Sequence, residues 1–235
     1  MRYTIPSPLR LVTLILFAGM ITLVLGCDEA AVTSPDLLSH DGQPSEVVAN
    51  KAAHSTSNVY KFADMSIVGS SSLVRHGNSI SMTLQTSEIP PGMAITVWWV
   101  VFNEPENCAT SPCGEPDIFD PAVRSDVLYA AGHVTGRGNH VNFAAQLKVG
   151  DASGSIMPFF NALLGLNLPS VGLEDASGAE VHLVVRTHQQ ALPAYLPDMI
   201  QTFNGGCLYP PGVPTDFGEP GPNTCMDIQF AIHQP

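Results

Sequence analysis

Between Asn78 and Asn103 the chain reads NSISMTLQTSEIPPGMAITVWWVVFN, and no other stretch so narrows the folds open to it. Ile80, Met82 and Leu84 alternate with Ser79, Ser81, Thr83 and Gln85. That period of two marks a strand with one buried and one wet face. Pro90-Pro91-Gly92 follows as turn chemistry, proline setting φ and glycine free to take φ > 0. The run from Ala94 to Phe102 is then apolar on both faces, with Ile95, Val97, Trp99 and Val101 on one and Ala94, Trp98, Val100 and Phe102 on the other. The expectation is a hairpin whose second strand is covered on both sides. Each tryptophan buries about 150–250 Å², roughly 4–6 kcal/mol at about 25 cal/mol per Å².

Further strands are expected at Val59–Val68, closed by Gly69-Ser70-Ser71-Ser72, and around Val127, Tyr129, Ala131 and His133. His133 sits on an otherwise apolar face, where a hydrogen-bonded core histidine is expected. Val141, Phe143, Ala145, Leu147 and Val149 face inward on the clearest strand, with His140 outward. Val181, Leu183, Val185 and Thr187 do so on the next; Met226, Ile228, Phe230 and Ile232 are expected inside on the last, leaving Asp227, Gln229 and His233 outside. Ser155–Leu166 reads as a short apolar helix with Pro158 confined to its first turn, and a helical turn is expected near Asp198–Phe203. About seven strands without regular intervening helices predict an all-β fold, an antiparallel Greek-key β-sandwich with long loops and a short helical insertion; a closed barrel is the alternative.

The N-terminus reads as an export signal. Arg2 and Arg10 precede an uncharged run, Leu11 to Leu25, too short for a comfortable membrane span. Its ending, Leu23-Val24-Leu25-Gly26-Cys27, resembles the lipobox of bacterial lipoproteins, departing from it at Leu25, where that pattern has a small residue. The resemblance implies a signal peptide over residues 1–26 and a lipid-bearing Cys27. Residues 27–57 then read as a tether poor in aromatics, and residues 58–235 as the β domain. About thirty flexible residues reach roughly 30 Å, enough to hold a domain clear of a membrane. Removing Arg2 and Arg10 takes the formal charge from −12 to −14. So acidic a chain offers nucleic acid no electrostatic footprint. The expected location is the bacterial cell envelope, on a membrane facing periplasm or exterior. The partners are that membrane, through the N-terminal lipid, and an unknown envelope or extracellular ligand.

In an exported protein Cys108, Cys113, Cys207 and Cys225 imply two disulfides, with three connectivities open. Local pairing, Cys108–Cys113 and Cys207–Cys225, is the most economical because each pair lies within one loop. No G-x-S-x-G, H-E-x-x-H, Gly-rich phosphate loop or S-x-x-K is present, so no catalytic residue and no cofactor is implied. The acidic stretch with Glu104, Glu106, Glu115, Asp117, Asp120 and Asp126 lacks the D-x-D-x-D-G spacing of a calcium loop and reads as solvated. His140, His182, His188 and His233 are the candidates for a transition metal, all on outward strand faces. His182 and His188 stand six apart, roughly 20 Å along a strand, and Arg186 lies between them, so no tight metal site is expected.

The segments AITVWWVVFN, CGEPDIFDPAV, EVHLVVRTH and TFNGGC resemble a group of uncharacterised exported bacterial proteins over most of residues 59–233, a resemblance that implies no activity. The strand, Pro-Gly and apolar-strand opening and the histidine-bearing strand are similar to chordin-type (CHRD) and copper–zinc superoxide dismutase sandwiches. The dismutase's clustered metal ligands are absent, so only the sandwich is implied. The expected function is binding or scaffolding by a lipid-anchored envelope protein. A metal-dependent envelope protein or enzyme using the histidine-bearing face is the first alternative, and a surface adhesion module using the long loops the second. The anchor is tested directly: Cys27→Ser is expected to move the protein from the detergent phase to the aqueous phase on phase partitioning, since lipid on Cys27 supplies two or more chains.

Overall fold

The computed structural model of the chain describes residues 53–138, 140–209 and 215–235. The signal-peptide reading, Cys27 and most of the tether lie outside the described residues. Among the described residues there are eight strands: β1 (Ala53–Lys61), β2 (Ile67–His76), β3 (Ser79–Ser87), β4 (Met93–Phe102), β5 (Ser125–Val134), β6 (His140–Lys148), β7 (Glu180–Gln190) and β8 (Met226–His233). They form one antiparallel sheet in the order β5-β4-β7-β8-β1-β2-β3-β6, and its two edges, β5 and β6, approach so that the sheet nearly closes on itself. Two helices, α1 (Met157–Leu164) and α2 (Leu196–Met199), lie in the connections. The proline of α1 falls in its first turn, where no intrahelical N–H bond is lost, and Gly165 ends it in the left-handed region.

The interior of the curled sheet is filled by the inward residues of every strand. Leu73, Ile80, Leu84, Trp99, Leu183 and Val185 are central to it. β4 is also covered on its other face. There Trp98, Val100 and Phe102 pack with Val123 of the loop preceding β5, Val127 of β5 itself, and Met157 and Phe159 of α1. The doubly apolar pattern of β4 is thus used in full, with both its edges hydrogen-bonded, to β5 and to β7. The outer layer is built from loops held by Cys108–Cys113 and Cys207–Cys225, whose Cα atoms stand 5.4 and 5.6 Å apart, the local pairing expected from spacing.

Several expectations are corrected. Residues from Ala53 onward already belong to the sheet, although composition placed Ala53 to Ser57 in the tether, and the first predicted strand is two. The chain turns between Lys61 and Ser66, and the Gly69-Ser72 run lies inside β2, paired to β1 and β3 at once. Serine costs little there because its backbone ladder is complete, and Gly69 is required, since a Cβ would meet the Gln85 carbonyl at 2.0 Å. β3 and β4 do not form a hairpin. β3 pairs with β2 and β6, while the Pro90–Gly92 connection carries the chain across to β4 at the other end of the sheet order. Thr135, at the end of β5, fastens that connection by donating to Pro90 O at 2.6 Å and accepting from Met93 N at 2.9 Å, with Gly92 at φ +80°.

The facing of β8 is the reverse of the expected one beyond Ile228. Gln229, Ala231 and His233 are buried inward, while Phe230 and Ile232 point to the outer face. A bulge opposite Val185/Arg186 inserts one residue and shifts the alternation. Gln229 is tolerated inside because its amide donates to Ser87 O and its carbonyl accepts from the Thr86 hydroxyl at 2.6 Å. His133 is half-buried and stacks on Phe143, centroids 4.7 Å apart, where a hydrogen-bonded ring was expected.

Trp99, 1% exposed in the interior cluster, sets the scale of this core. Trp99→Ala should cost about 3–5 kcal/mol in chemical denaturation. Leu164→Ala, at a half-exposed site on α1, should change stability by about 0.5 kcal/mol or less.

Candidate functional site

The outward residues of three adjacent strands meet in rows across the sheet. Register pairs Trp98 with Val184 and Val184 with Phe230, and the next row runs Val100, His182 and Ile232. These rows floor a cleft of about 590 Å³. One wall is the disulfide-closed loop carrying Gly114, Glu115, Ile118 and Phe119; α1 and the segment after α2 add Phe160 and Phe203. On the far side stands Phe62, from the β1–β2 turn, its ring centroid 4.6 Å from that of Phe230. Trp98 and Phe203 meet edge to face at 5.2 Å, as do Phe119 and Phe160 at 5.4 Å. The volume and the apolar lining are those of a small-molecule pocket.

Few polar groups enter it. His182 Nε2 lies 2.7 Å from Glu180 Oε1, and its ring meets Phe102 edge to face at 4.9 Å. The same oxygen accepts the Cys113 N–H at 2.7 Å, tying the disulfide loop to β7. Burial pushes the Glu180 carboxyl upward, but the bonds from His182 and Cys113 outweigh it and hold the group below its ordinary range. Asp227, on the cleft's edge, accepts from Arg186 at 2.9 Å, and that guanidinium lies 4.0 Å over the Phe203 ring. Among the described residues lining the cleft there is no serine, threonine, lysine or free thiol, and Cys113 is bonded to Cys108. The arrangement can bind and orient a molecule, with His182 and carboxylates as its polar contacts.

The four histidine candidates do not converge. His182 lines the cleft. His188 shares its outward face, as expected, but lies fully buried beneath the segment around Gly205. There Trp98 Nε1–H donates to Thr96 Oγ1, the Thr96 hydroxyl donates to His188 Nε2 at 3.1 Å, and His188 Nδ1–H donates to Gly205 O at 2.9 Å, the pattern of a neutral ring. Its Nδ1 is 3.5 and 3.8 Å from the sulfurs of Cys207 and Cys225, which are committed to each other. His233 points inward between the hydroxyls of Ser55 and Ser71, each 2.9 Å away, and His140 is exposed at the start of β6. Among the acidic residues, Asp117 and Asp126 are buried where a solvated stretch was expected. Asp117 accepts the N–H groups of Ala109 and Gly114; Asp126 accepts the Ser155 hydroxyl and the Gly172 N–H.

Sequence reasoning missed the aromatic lining, because Phe62, Phe119, Phe160, Phe203 and Phe230 come from five distant segments and Phe230 was assigned inward. The available signal was the outward row Trp98, Val100, Phe102, which required a cover. Comparison with protein-family models, curated proteins and solved structures returns no match.

Burial lowers both His188 and His233 from the ordinary 6.5 to about 4. Their folded forms bind protons less readily than the unfolded chain, so their contribution to stability is complete above pH 6.5 and is lost as pH falls toward 4. Each is expected to add about 1.4 kcal/mol per pH unit to the slope of stability in that window. Denaturant titrations at pH 7, 6 and 5 should show the loss, and His233→Asn should flatten it by about one proton.

Proposed function

We propose that this chain is an exported, lipid-anchored cell-envelope protein whose β domain binds a small, largely apolar molecule in the cleft over β4, β7 and β8. The observation that carries the reading is the cleft itself, about 590 Å³ and lined mainly by aromatic and aliphatic side chains. The uncharged N-terminal run, the lipobox-like ending at Cys27 and the two disulfides support export and anchoring. The path of β3 to β6 around the two sheet edges supports a Greek-key reading of that half of the fold. A metal-dependent role has less support, since His140, His182, His188 and His233 occupy four separate surroundings. Adhesion through the long loops has less support as well, because much of their length is packed against the outer face of the sheet.

Residues 28–235, made without lipid in an oxidising compartment, should bind the neutral fluorescent probe N-phenyl-1-naphthylamine saturably at one site. Val184→Phe fills part of the cleft floor and should weaken that binding at least about tenfold at unchanged thermal stability. Absent binding, or equal binding by both proteins, overturns the proposal.

A further inference from the structure

Seven of the described residues lining the cleft are phenylalanine or tryptophan, and none of them is Lys or Arg. Glu115 lines the wall and is exposed; Asp227 stands on the edge; Glu180 stands behind His182. Arg186 offsets Asp227, but no lysine or arginine bonds Glu115 or Glu180 among the described residues. The cleft therefore combines ring faces, which carry partial negative charge, with a surplus of carboxylate. The chain as a whole adds to that field, at a formal charge of −12. An anionic guest would lose hydration and meet like charge. A neutral guest would gain burial alone, whereas a weakly hydrated cation would gain burial, ring-face attraction and the carboxylate field together. Arg186 over Phe203 shows one ring of this layer already holding a cation at 4.0 Å.

We propose that the occupant of the cleft is an organic cation, a quaternary or tertiary ammonium group on an apolar or aromatic body, held by the aromatic rings with Glu115 at the mouth. This rests on the cleft-binding reading and names the ligand class for it. His182 gives such a guest one hydrogen-bonding neighbour, its Nε2 side being taken by Glu180.

The test uses three probes of similar shape on residues 28–235: benzyltrimethylammonium, its neutral carbon isostere neopentylbenzene, and phenylmethanesulfonate. Calorimetry and tryptophan fluorescence should show the cation bound about tenfold more tightly than the neutral isostere, and the sulfonate not bound. Glu115→Gln, a change at an exposed side chain, should reduce the preference for the cation over the isostere about threefold. Equal or tighter binding of neopentylbenzene overturns the inference while leaving the cleft as a binding site. So does failure of the cation to bind where N-phenyl-1-naphthylamine still does, or an unchanged preference in Glu115→Gln. Failure of all probes, the neutral dye included, overturns both readings.

Discussion

Strand β4 lies between two apolar layers, and the rest of the molecule is arranged around covering both its faces. Trp99 points into the curled sheet and Trp98, its neighbour, points away from it, each almost wholly buried. The first is satisfied by strands alone. The second cannot be, because the far side of a curled sheet is otherwise water, so Trp98, Val100 and Phe102 demand an outer layer built from whatever the connections supply. Here these are a disulfide-closed loop, a helix of two turns and a Pro/Gly-rich excursion, none with a core of its own. The backbone of β4 is paired on both edges, so the outer layer has only to exclude water. Where it does not close, over β7 and β8, the cleft remains.

What holds such loops in place is a set of buried carboxylates as much as apolar contact. Asp117, Asp126 and Glu180 each accept backbone N–H groups from loops that have no ladder partner for them. A buried carboxylate is costly unless fully bonded, and a loop N–H without an acceptor is costly too, so each offsets the other. Glu180 does this at the centre of the site. It joins the Cys108–Cys113 loop, one wall of the cleft, to the strand that floors it, and it orients His182. Position of the wall and orientation of the ring thus depend on one side chain. His188 plays a comparable part further along β7, bridging Thr96 of β4 to the Gly205 backbone as a neutral ring in a dry setting.

Local pattern carried the strands whose alternation is unbroken. Ile80, Met82 and Leu84, then Val141, Phe143 and Leu147, then Val181, Leu183 and Val185, face inward as their spacing dictates, because on those strands each residue advances the side chain by half a turn. The same holds for the helix with Pro158 in its first turn and for disulfides within single loops, where the closing residues are near in sequence. Three strands resisted. In β5 a bulge opposite Val97/Trp98 parts Val127 and Tyr129, which pack in the outer layer, from Ala131 and His133, which face the interior, although all four were expected on one face. β8 is amphipathic in either facing, with Phe230 and Ile232 against Gln229 and His233, and apolarity alone favours the facing it does not adopt beyond Ile228. β2, rich in serine, has no apolar signal strong enough to outweigh its resemblance to a turn.

The sequence by itself determined that the protein is antiparallel β, that β4 is covered twice and that the chain is acidic, and it favoured pairing of the four inner cysteines within their own loops over the other two connectivities. Each of these depends on residues close together in the chain or on totals over it. Only the tertiary structure decided that β3 and β4 part company, that one bulge turns Phe230 outward, that His233 meets serine hydroxyls inside the sheet, and that aromatic rings from distant segments face one another across a cleft. Those outcomes depend on which strand lies beside which. That choice is made by the closure of the whole sheet and the need to pair every backbone group in it, and no window of sequence contains it.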